Sequence, residues 1–347
     1  MLSMYPLDRG VWGPVSRITH LRDELASIAD LDVLAEARGP RRRMLIGFAL
    51  GGRLRHLDGV YVETSSTLPS ETDLAFLALA RMLRIPVVTY LRDAQYLFAE
   101  YYSAGSVKRR LARWLFLPAI TLLRALSSRT GYPSTGLARA VRDPAPEPLL
   151  LPPGSPPPVA VPRRTDARSL LFVGGMRVPV HGLDLLIGAV DRVRSEGHDL
   201  RVLCVSRPGE EPPDPHPDWL RIERGAAREI HALLPDVLAT IQPRHRSPYN
   251  DLAVPIKVME YLSYGRPLVV TDCTEQARIV RDADAGIVVP DDVDGLADGL
   301  RRLVRAPSEE LDRWSANATA AAKAASWANL ARDIVGVLDT ARDASRR

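Results

Sequence analysis

The sequence predicts an α/β protein built from two Rossmann-like domains. Strand-length apolar runs alternate with helical segments across residues 1–150, and the alternation returns across 166–325, as expected for parallel sheets covered by helices. Between these regions, nine prolines crowd into residues 144–162. Because proline at this density prevents helix formation, we expect a stiff, extended linker at 151–165. A chain of 347 residues, 46% of them hydrophobic, can bury two separate cores.

Composition narrows the class of protein further. Cys204 and Cys273 are too few for a disulfide framework or a zinc site of cysteine ligands, so a reducing, cytoplasmic location is expected. The N-terminal residues lack the basic start and long apolar core of a signal peptide. The longest apolar run, Trp114 to Leu123, is about half the ~20 residues that a membrane-spanning helix needs. We therefore expect a protein that is soluble or at most peripheral.

The first domain opens with a short strand, a loop at 8–14 and a helix from Val15 to Ile28. Gly10 and Gly13 in this loop allow close backbone approach to a ligand at the carboxyl ends of a parallel sheet. The pattern is not the G-x-G-x-x-G dinucleotide fingerprint, which disfavours a nicotinamide-dependent dehydrogenase.

Two charged residues, Arg92 and Asp93, follow the predicted strand at 86–91. A doubly wound sheet places its ligand-facing residues at this end of a strand, so Arg92 can stabilise phosphate charge while Asp93 orients it or a substrate hydroxyl. The alternative is a helix-capping Asp93 beside a solvated Arg92. Earlier strands are expected at 31–34 and 59–62, with helices ending at Leu50 and spanning 71–83.

Residues 106–126 begin with basic side chains and continue as an apolar run interrupted by Pro118. Such a segment can lie in a membrane interface with Trp114 and Phe116 inserted, or form a core helix with a polar face. Residues 101–142 carry eight basic and no acidic residues, which favours a surface that meets phosphates or anionic lipid, although a well-solvated basic helix is the plain alternative.

The second domain opens with a buried strand at 169–173 that ends in Gly174 and Gly175. Backbone amides in the loop that follows can cradle a diphosphate before the helix at 183–194, with Arg177 supplying positive charge. Further strands and helices are expected, in chain order, at 200–205 (strand), 219–222 (strand), 227–234 (helix), 237–241 (strand), 268–271 (strand), a helix led by 273–276, 286–290 (strand), 294–304 (helix) and 327–338 (helix).

One stretch, Pro255 to Pro267, is the most informative in the chain. Its apolar positions predict a short helix that begins after Pro255 and ends at Gly265, directly before a buried strand. Lys257 and Glu260 are three residues apart and therefore share a helix face near the N-terminus. Lys257 and the helix dipole suit a phosphate, and Glu260 suits sugar or ribose hydroxyls; a solvated ion pair is the alternative.

The P-x-K-x-x-E-Y-x-x-x-G-x-P pattern of this stretch closely resembles the donor-site signature of the retaining GT-B-fold glycosyltransferases (glycosyl transferases group 1, family 4-like). The resemblance extends over nearly all of the chain, specifically in 169–304 and loosely in 1–150. It implies GT-B architecture, with a domain at 1–150 for the acceptor, a nucleotide-sugar domain at 166–325 and a donor/acceptor cleft between them. It also implies that a C-terminal helix in 326–347 crosses back onto the N-terminal domain.

The resemblance implies roles for individual residues. Arg92, Asp93, Arg177 and Lys257 would be catalytic, while the donor would be bound by Gly13, Gly174, Gly175, His181, Gly182, Asp251, Pro255 and Glu260.

The sequence departs from the family pattern in two places. Gly175 stands where the diphosphate loop usually has arginine, and His181 stands where it has lysine, so charge at His181 would depend on pH; a helix-capping or second-shell role is the alternative. Leu252 stands where a sugar-contacting glutamate is usual, so that contact is missing or is supplied by Asp251 or Asn250.

The resemblance thus implies a retaining, metal-independent, hexosyltransferase-like enzyme with no cofactor, which moves a sugar from a nucleotide-diphosphate-sugar donor. Its acceptor would be a glycan, a lipid-linked molecule or a small molecule, reached on the inner face of the plasma membrane if residues 106–126 make peripheral contact. A catalytically silent nucleotide-sugar or glycan binding protein is the alternative. Nucleic-acid binding is disfavoured because no recognisable module is present.

Overall fold

The computed structural model describes residues 1–7, 13–98, 107–175, 181–206, 216–224 and 227–346. The chain forms two compact units. The first combines Met1–Gly154 with Trp327–Arg347, and the second is Ser155–Ser326. Among the described residues, no helix is long and apolar enough to span a membrane.

The first unit is built on a six-stranded parallel sheet with the order β2-β1-β3-β4-β5-β6. Its strands are β1 (Leu2–Ser3), β2 (Leu34–Ala35), β3 (Val60–Glu63), β4 (Val87–Tyr90), β5 (Arg129–Tyr132) and β6 (Leu149–Leu150). Its helices are α1 (Gly13–Ile28), α2 (Arg38–Leu50), α3 (Glu71–Met82), α4 (Val107–Leu126), α5 (Thr135–Ala140) and α12 (Trp327–Arg346).

Alternate residues of the central strands face two different cores, because successive side chains of a strand point to opposite faces. On β3, Val60 and Val62 pack with α2, α3, α4 and α5, whereas Tyr61 packs with α1 and α12. The C-terminal helix α12 thus completes the first unit, as expected, by burying Trp327 and Ile334 against it.

The second unit contains another six-stranded parallel sheet, with the order β12-β11-β10-β7-β8-β9. Its strands are β7 (Ser169–Val173), β8 (Arg201–Ser206), β9 (Leu220–Arg224), β10 (Val237–Gln242), β11 (Leu268–Thr271) and β12 (Gly286–Val289). Its helices are α6 (Leu183–Ser195), α7 (Ala227–Leu233), α8 (Ile256–Ser263), α9 (Thr274–Asp282), α10 (Val293–Arg305) and α11 (Ser308–Ala324). Two apolar cores cover the two faces of this sheet.

The proline-rich residues are divided between the units. Leu151 is buried in the first unit, while Val159 and Val161 pack against a core of the second. Ser155 Oγ donates a 2.7 Å hydrogen bond to the Met259 carbonyl of α8, and the Val159 amide donates to the Ser263 carbonyl at 2.7 Å. The predicted linker at 151–165 is therefore held in place along much of its length by contacts with the packed residues of the units.

The segment predicted at 106–126 is corrected in two respects. Helix α4 continues through Pro118, because proline removes only one helical N–H and packing by Phe116 and Ile120 holds the turns on either side. Phe116 is buried in the core, so it cannot enter a membrane together with the exposed Trp114. Two residues apart, these side chains point to different sides of the helix.

Candidate functional site

The second sheet places its predicted ligand residues where its strand order reverses. Numbered within the unit, the sheet has the order 3-2-1-4-5-6, and the reversal lies between β7 and β10. Ligands of doubly wound sheets bind in the crevice outside the carboxyl ends of strands at this point. Gly174 and Gly175 follow β7, and the loop from Pro243 to Val254 follows β10, so both predicted loops leave the sheet beside this crevice.

Gly182 joins these two loops. It precedes α6 with φ of +71°, a conformation that favours glycine, and a Cβ built there would lie 1.5 Å from the Pro243 carbonyl oxygen. The end of the predicted diphosphate loop, with His181 next to Gly182, therefore lies directly against the backbone that follows β10. Arg177, the cation predicted within this loop, lies outside the described residues.

Lys257 and Glu260 lie on the same face of α8, as their spacing indicates. Lys257 Nζ is 2.7 Å from Glu260 Oε2, and the two side chains are 36% and 19% exposed. Pro255 precedes the helix in an extended conformation. The pair is accessible to a ligand, and the N-terminal position of Lys257 adds its charge to that of the helix dipole.

Tyr261 connects this helix to the end of β7. Its buried hydroxyl oxygen accepts a 2.7 Å hydrogen bond from the Val173 amide, one residue before Gly174. Burial raises the pKa of Tyr261 well above its usual value, so the hydroxyl stays neutral. Tyr261 thus fixes the position of α8 relative to the glycine loop. Our sequence reasoning did not give it a role, although it stands directly after Glu260 in the motif.

The loop after β10 is held by its own polar side chains. Asp251 pairs with Arg246 at 3.0 Å and accepts a 2.9 Å hydrogen bond from the Thr274 amide. Asn250 is buried, and its amide nitrogen donates to the His245 carbonyl at 2.8 Å. Both residues proposed as substitutes for the missing sugar-contacting glutamate therefore have structural contacts, within this loop and, for Asp251, also with the start of α9.

His245 is a further polar residue of this loop that sequence reasoning missed. Its Nε2 lies 3.0 Å from Asp184 Oδ2, in the first turn of α6. The contact ties the loop after β10 to the helix that follows Gly182. No local sequence signal links the two residues, because 61 positions separate them.

In the first unit, Arg92 and Asp93 follow β4 and are both largely buried. Arg92 Nη2 donates to Tyr5 Oη at 2.9 Å, to Ser66 Oγ at 2.8 Å and to Asp93 Oδ2 at 3.1 Å. Ser66 Oγ in turn donates to Asp93 Oδ2 at 2.7 Å. Tyr5 follows β1 and Ser66 follows β3, on either side of the point where this sheet reverses its strand order. This geometry contradicts the alternative of a solvated Arg92.

The Arg92–Asp93 pair retains unused hydrogen-bonding capacity. Within the described part of the chain, Arg92 Nη1 and Asp93 Oδ1 are buried and have no hydrogen-bond partner. Burial opposes the charge of Arg92, but Asp93, Tyr5 and Glu63 together outweigh it and raise the pKa of the guanidinium. A buried guanidinium that stays charged and has a free N–H suits an anionic or hydroxyl-rich ligand.

A second buried ion pair lies behind this network. Arg17 Nε donates to Glu63 Oε1 at 3.0 Å, and Tyr61 Oη donates to the same oxygen at 2.6 Å. The Arg17 guanidinium also lies 3.7 Å from the centre of the Tyr90 ring. Burial raises the pKa of Tyr90 to about 12, so this hydroxyl remains protonated at neutral pH. Sequence reasoning gave none of these residues a role.

The predicted donor residues of the second unit converge at one sheet edge, and Arg92 and Asp93 occupy the corresponding edge of the first sheet. Gly13 begins α1 instead of lying in the preceding loop, whose residues 8–12 are outside the described part. Among described residues, no group of three or more His, Cys, Asp or Glu side chains is arranged to hold a metal ion.

Residues 167–306 match the family model of the glycosyl transferases group 1. No curated protein is significantly similar in sequence. Solved structures extend the likeness to the whole chain. HepE from Anabaena, in complex with UDP, has a TM-score of 0.64 at 13% identity, with 98% of this chain and 99% of HepE covered.

Two other solved structures give the same result. WaaG, described as a glycosyltransferase involved in lipopolysaccharide biosynthesis, has a TM-score of 0.62 at 14% identity, with 97% of this chain and 98% of WaaG covered. Sucrose-phosphate synthase from Thermosynechococcus elongatus has a TM-score of 0.63 at 13% identity, with coverage of 99% and 98%. In contrast, this chain spans only 58% of the length of TarM, at a TM-score of 0.61 and 9% identity.

These likenesses define the class of protein: the chain has the GT-B fold, in two parallel six-stranded α/β units. Within this fold, the domain at 167–306 is similar to the group 1 glycosyl transferases.

Proposed function

We propose that the protein transfers a sugar from a nucleotide-diphosphate-sugar donor to an acceptor, with retention of configuration and without a metal ion. The observation that carries this proposal is the convergence of Gly174, Gly175, Lys257 and Glu260 at the strand-order reversal of a group 1 glycosyl transferase domain. Retention and metal independence are supported by the resemblance of the motif to the donor-site signature of the retaining GT-B-fold glycosyltransferases.

The donor would bind along the carboxyl edge of the second sheet. Lys257, at the N-terminus of α8, would neutralise the departing diphosphate together with Arg177 and His181, and the backbone from Gly174 to Gly182 would donate hydrogen bonds to it. Glu260 would accept hydrogen bonds from the ribose hydroxyls. HepE has been solved with UDP and with UDP-glucose, which supports a nucleoside diphosphate as the leaving group here.

Arg92 and Asp93 would face the transferred sugar. The free Arg92 Nη1 can donate to a phosphate or sugar oxygen, and Asp93 Oδ1 can accept from a sugar hydroxyl. Because Tyr5 and Ser66 already hold the other atoms of this pair, little reorganisation would be needed on binding. The acceptor would be a glycan, in the first instance a lipid-linked one, at the cytoplasmic face of the plasma membrane.

A thermal-shift screen against nucleoside diphosphates and nucleotide sugars tests donor binding, because a ligand that binds only the folded state raises the melting temperature. We expect Glu260→Ala to abolish this shift while leaving the melting temperature of the free protein unchanged, since a partly exposed surface ion pair contributes little stability.

Glu309→Ala provides the matched control, because it removes an exposed carboxylate from α11 of the same unit. Normal nucleotide binding by Glu260→Ala would show that the central motif does not hold the donor. Release of nucleoside diphosphate from a stabilising donor, in the presence of a pooled acceptor extract, would then establish transfer.

The altered diphosphate loop supports a second candidate, a catalytically silent nucleotide-sugar or glycan binding protein. Gly175 lacks the charge that the related loop carries, and His181 replaces a permanently charged lysine. This candidate predicts a thermal shift with a nucleotide sugar but no release of nucleoside diphosphate under any acceptor condition.

A further inference from the structure

Helix α4 has two apolar faces, and only one of them is used by the core. Phe116, Ile120 and Leu123 are buried in the first unit. On the opposite side, six exposed residues follow one another at helical spacing and fall within an arc of about 100°. These residues, which we call the outer stripe, are Val107, Leu111, Trp114, Leu115, Pro118 and Leu122.

The outer stripe is strongly exposed for apolar side chains. Trp114 is 78% exposed, Val107 72% and Leu111 55%. Five of the ten exposed large apolar side chains in the described part of the chain lie on this one helix. Single exposed apolar residues are common on protein surfaces, whereas a continuous row of them indicates an interaction surface.

The segment that contains the outer stripe is basic. Residues 101–142 contain eight basic residues and no acidic one. Arg110 and Arg113 are exposed and lie along one side of the stripe. A groove of about 520 Å³ adjoins its C-terminal end, between Leu117, Leu122 and Val141, with Arg124 and Arg142 also lining it. An apolar row flanked by arginines is complementary to lipid whose headgroups are anionic.

The position of α4 in the fold relates the outer stripe to Arg92 and Asp93. Helix α4 is the crossover between the parallel strands β4 and β5, so it runs back from the carboxyl edge of the sheet. Tyr96, three residues after Asp93, packs against Phe116 with 5.4 Å between ring centres. The N-terminal half of the stripe, with Val107, Leu111 and Trp114, is therefore on the side of the first unit where its ligand residues emerge.

We propose that α4 docks the protein on an anionic membrane surface, with the outer stripe inserted among the lipid headgroups and Arg110 and Arg113 paired with phosphate groups. The helix lies in the interface plane, with Phe116 and Ile120 still facing the core. This inference rests on the proposed function and deepens it, because docking would bring Arg92 and Asp93 to the membrane surface that carries a lipid-linked acceptor. The docking itself requires no donor and no turnover.

Co-sedimentation of the full-length protein with sucrose-loaded vesicles tests the inference. We expect binding to vesicles of roughly 30% anionic lipid, little binding to zwitterionic vesicles, and a loss of binding as salt screens the charges. The double variant Leu111→Glu with Trp114→Glu should bind at least about tenfold more weakly, because carboxylates replace the inserted side chains. Arg110→Gln with Arg113→Gln should weaken binding by about tenfold through the lost headgroup attraction.

Matched controls come from exposed apolar residues on other helices. Leu50→Glu on α2 and Met82→Glu on α3 alter side chains that are more exposed than Leu111 and Trp114, and these variants should bind vesicles as the native protein does. All variants should keep the native melting temperature, because the substituted side chains lie outside the core. Glu260→Ala should also bind vesicles normally, which separates a failure of docking from a failure of donor binding.

Any of three results would overturn the inference. The first is a native protein that does not bind anionic vesicles at low salt, and the second is an outer-stripe variant that binds as well as Leu50→Glu. The third is equal binding of the native protein to zwitterionic and anionic vesicles. Sedimentation velocity tests a fourth contrary result, in which the outer stripe is covered by a second copy of the chain. In that case the native protein would form a dimer and would not bind vesicles, and the double variant Leu111→Glu with Trp114→Glu would be a monomer.

Discussion

The hydroxyl of Tyr261 is hydrogen-bonded to the backbone of one residue, Val173. Its oxygen receives the Val173 N–H at 2.7 Å, in a buried position immediately before the Gly174–Gly175 loop. Removing the acceptor leaves a buried amide without a partner, which costs more than the net value of an ordinary hydrogen bond. The same contact determines where α8, with Lys257 and Glu260, lies relative to the glycine loop.

We therefore expect Tyr261→Phe to lower the free energy of unfolding by about 1–3 kcal/mol and to weaken nucleotide binding. Urea unfolding and thermal shift with nucleotide measure the two effects. Tyr264→Phe is the control, because the Tyr264 ring is also buried in this core while no hydrogen bond of its hydroxyl is found among the described residues. Equal stability and nucleotide affinity in the two variants would show that the Tyr261 hydroxyl does not position the loop.

At the scale of residues, the sequence predicted contacts between near neighbours and missed contacts between distant residues. Lys257 and Glu260 were placed together correctly because they are neighbours on one helix. Arg92 was assigned a ligand role, but its contacts with Tyr5 and Ser66 join residues 87 and 26 positions away, which no local pattern reports. Arg17 and Glu63 were missed for the same reason, since each alone is typical of a solvated charge.

At the scale of elements, α2 and α3 are joined by a buried ion pair. Arg41 Nε and Nη2 donate to the two oxygens of Asp73, each at 2.9 Å, and Asp73 also closes a capping box with Ser70 at the start of α3. Burial opposes the charge of Asp73, but hydrogen bonds from Arg41 and Ser70 outweigh it and hold the pKa of this carboxyl below its ordinary value of 3.8.

We expect Asp73→Asn to destabilise the protein by about 3 kcal/mol near pH 7, because it leaves the buried charge of Arg41 without a counter-ion. A carboxyl whose pKa is depressed on folding contributes its stability above the unfolded pKa and loses it as pH falls through the folded pKa. The difference from the native protein should therefore be constant from pH 5 to 8 and shrink below about pH 4.

Chemical denaturation across this pH interval measures the effect. Glu71→Gln is the control, because its ion pair with Arg38 is exposed and its loss should leave stability nearly unchanged. A constant penalty of Asp73→Asn down to pH 3 would show that the carboxyl charge is not what stabilises the contact.

Helices and strands whose apolar residues recur at a regular spacing were predicted with nearly the observed bounds, and elements without such a pattern were not. The motif helix, its flanking strand and α3 agree with the structure within two residues. Helix α11 was not predicted, because the alanines of Ser308–Ala324 give little contrast between its faces. For α4, the sequence analysis recognised the apolar content but did not divide it between two helix faces. The spacing of Trp114 and Phe116 was sufficient to do so, because residues two positions apart lie on different faces of a helix.

At the scale of the whole molecule, alternation of strands and helices was sufficient to predict two parallel α/β units. It does not determine strand order, because each strand can join either edge of a growing sheet, and the two sheets indeed differ in order. The return of the C-terminal helix was expected from the resemblance alone. In the structure, apolar contacts hold this helix in place. They are made by four buried side chains that pack with α1 on one face of the first sheet: Trp327, Leu330, Ala331 and Ile334.

This return makes the first unit dependent on the last residues of the chain. A chain that ends at Ser326 should leave Tyr61, Val88 and Leu21 partly exposed, since the buried side chains of α12 that cover them are removed. We expect the first unit to become protease-sensitive or to unfold, while Ser155–Ser326 retains its own two cores. Limited proteolysis with mass spectrometry distinguishes the fates of the two units.

A chain that ends at Thr340 is the matched control, because it lacks only residues 341–347, of which the described ones are half-buried or exposed. It should keep native protection in both units. The point variant Ile334→Asp, which places a charge at a fully buried position of α12, should reproduce the longer truncation in the intact chain. Native protection of residues 1–154 in the chain that ends at Ser326 would mean that α12 rests on a first unit that is stable without it.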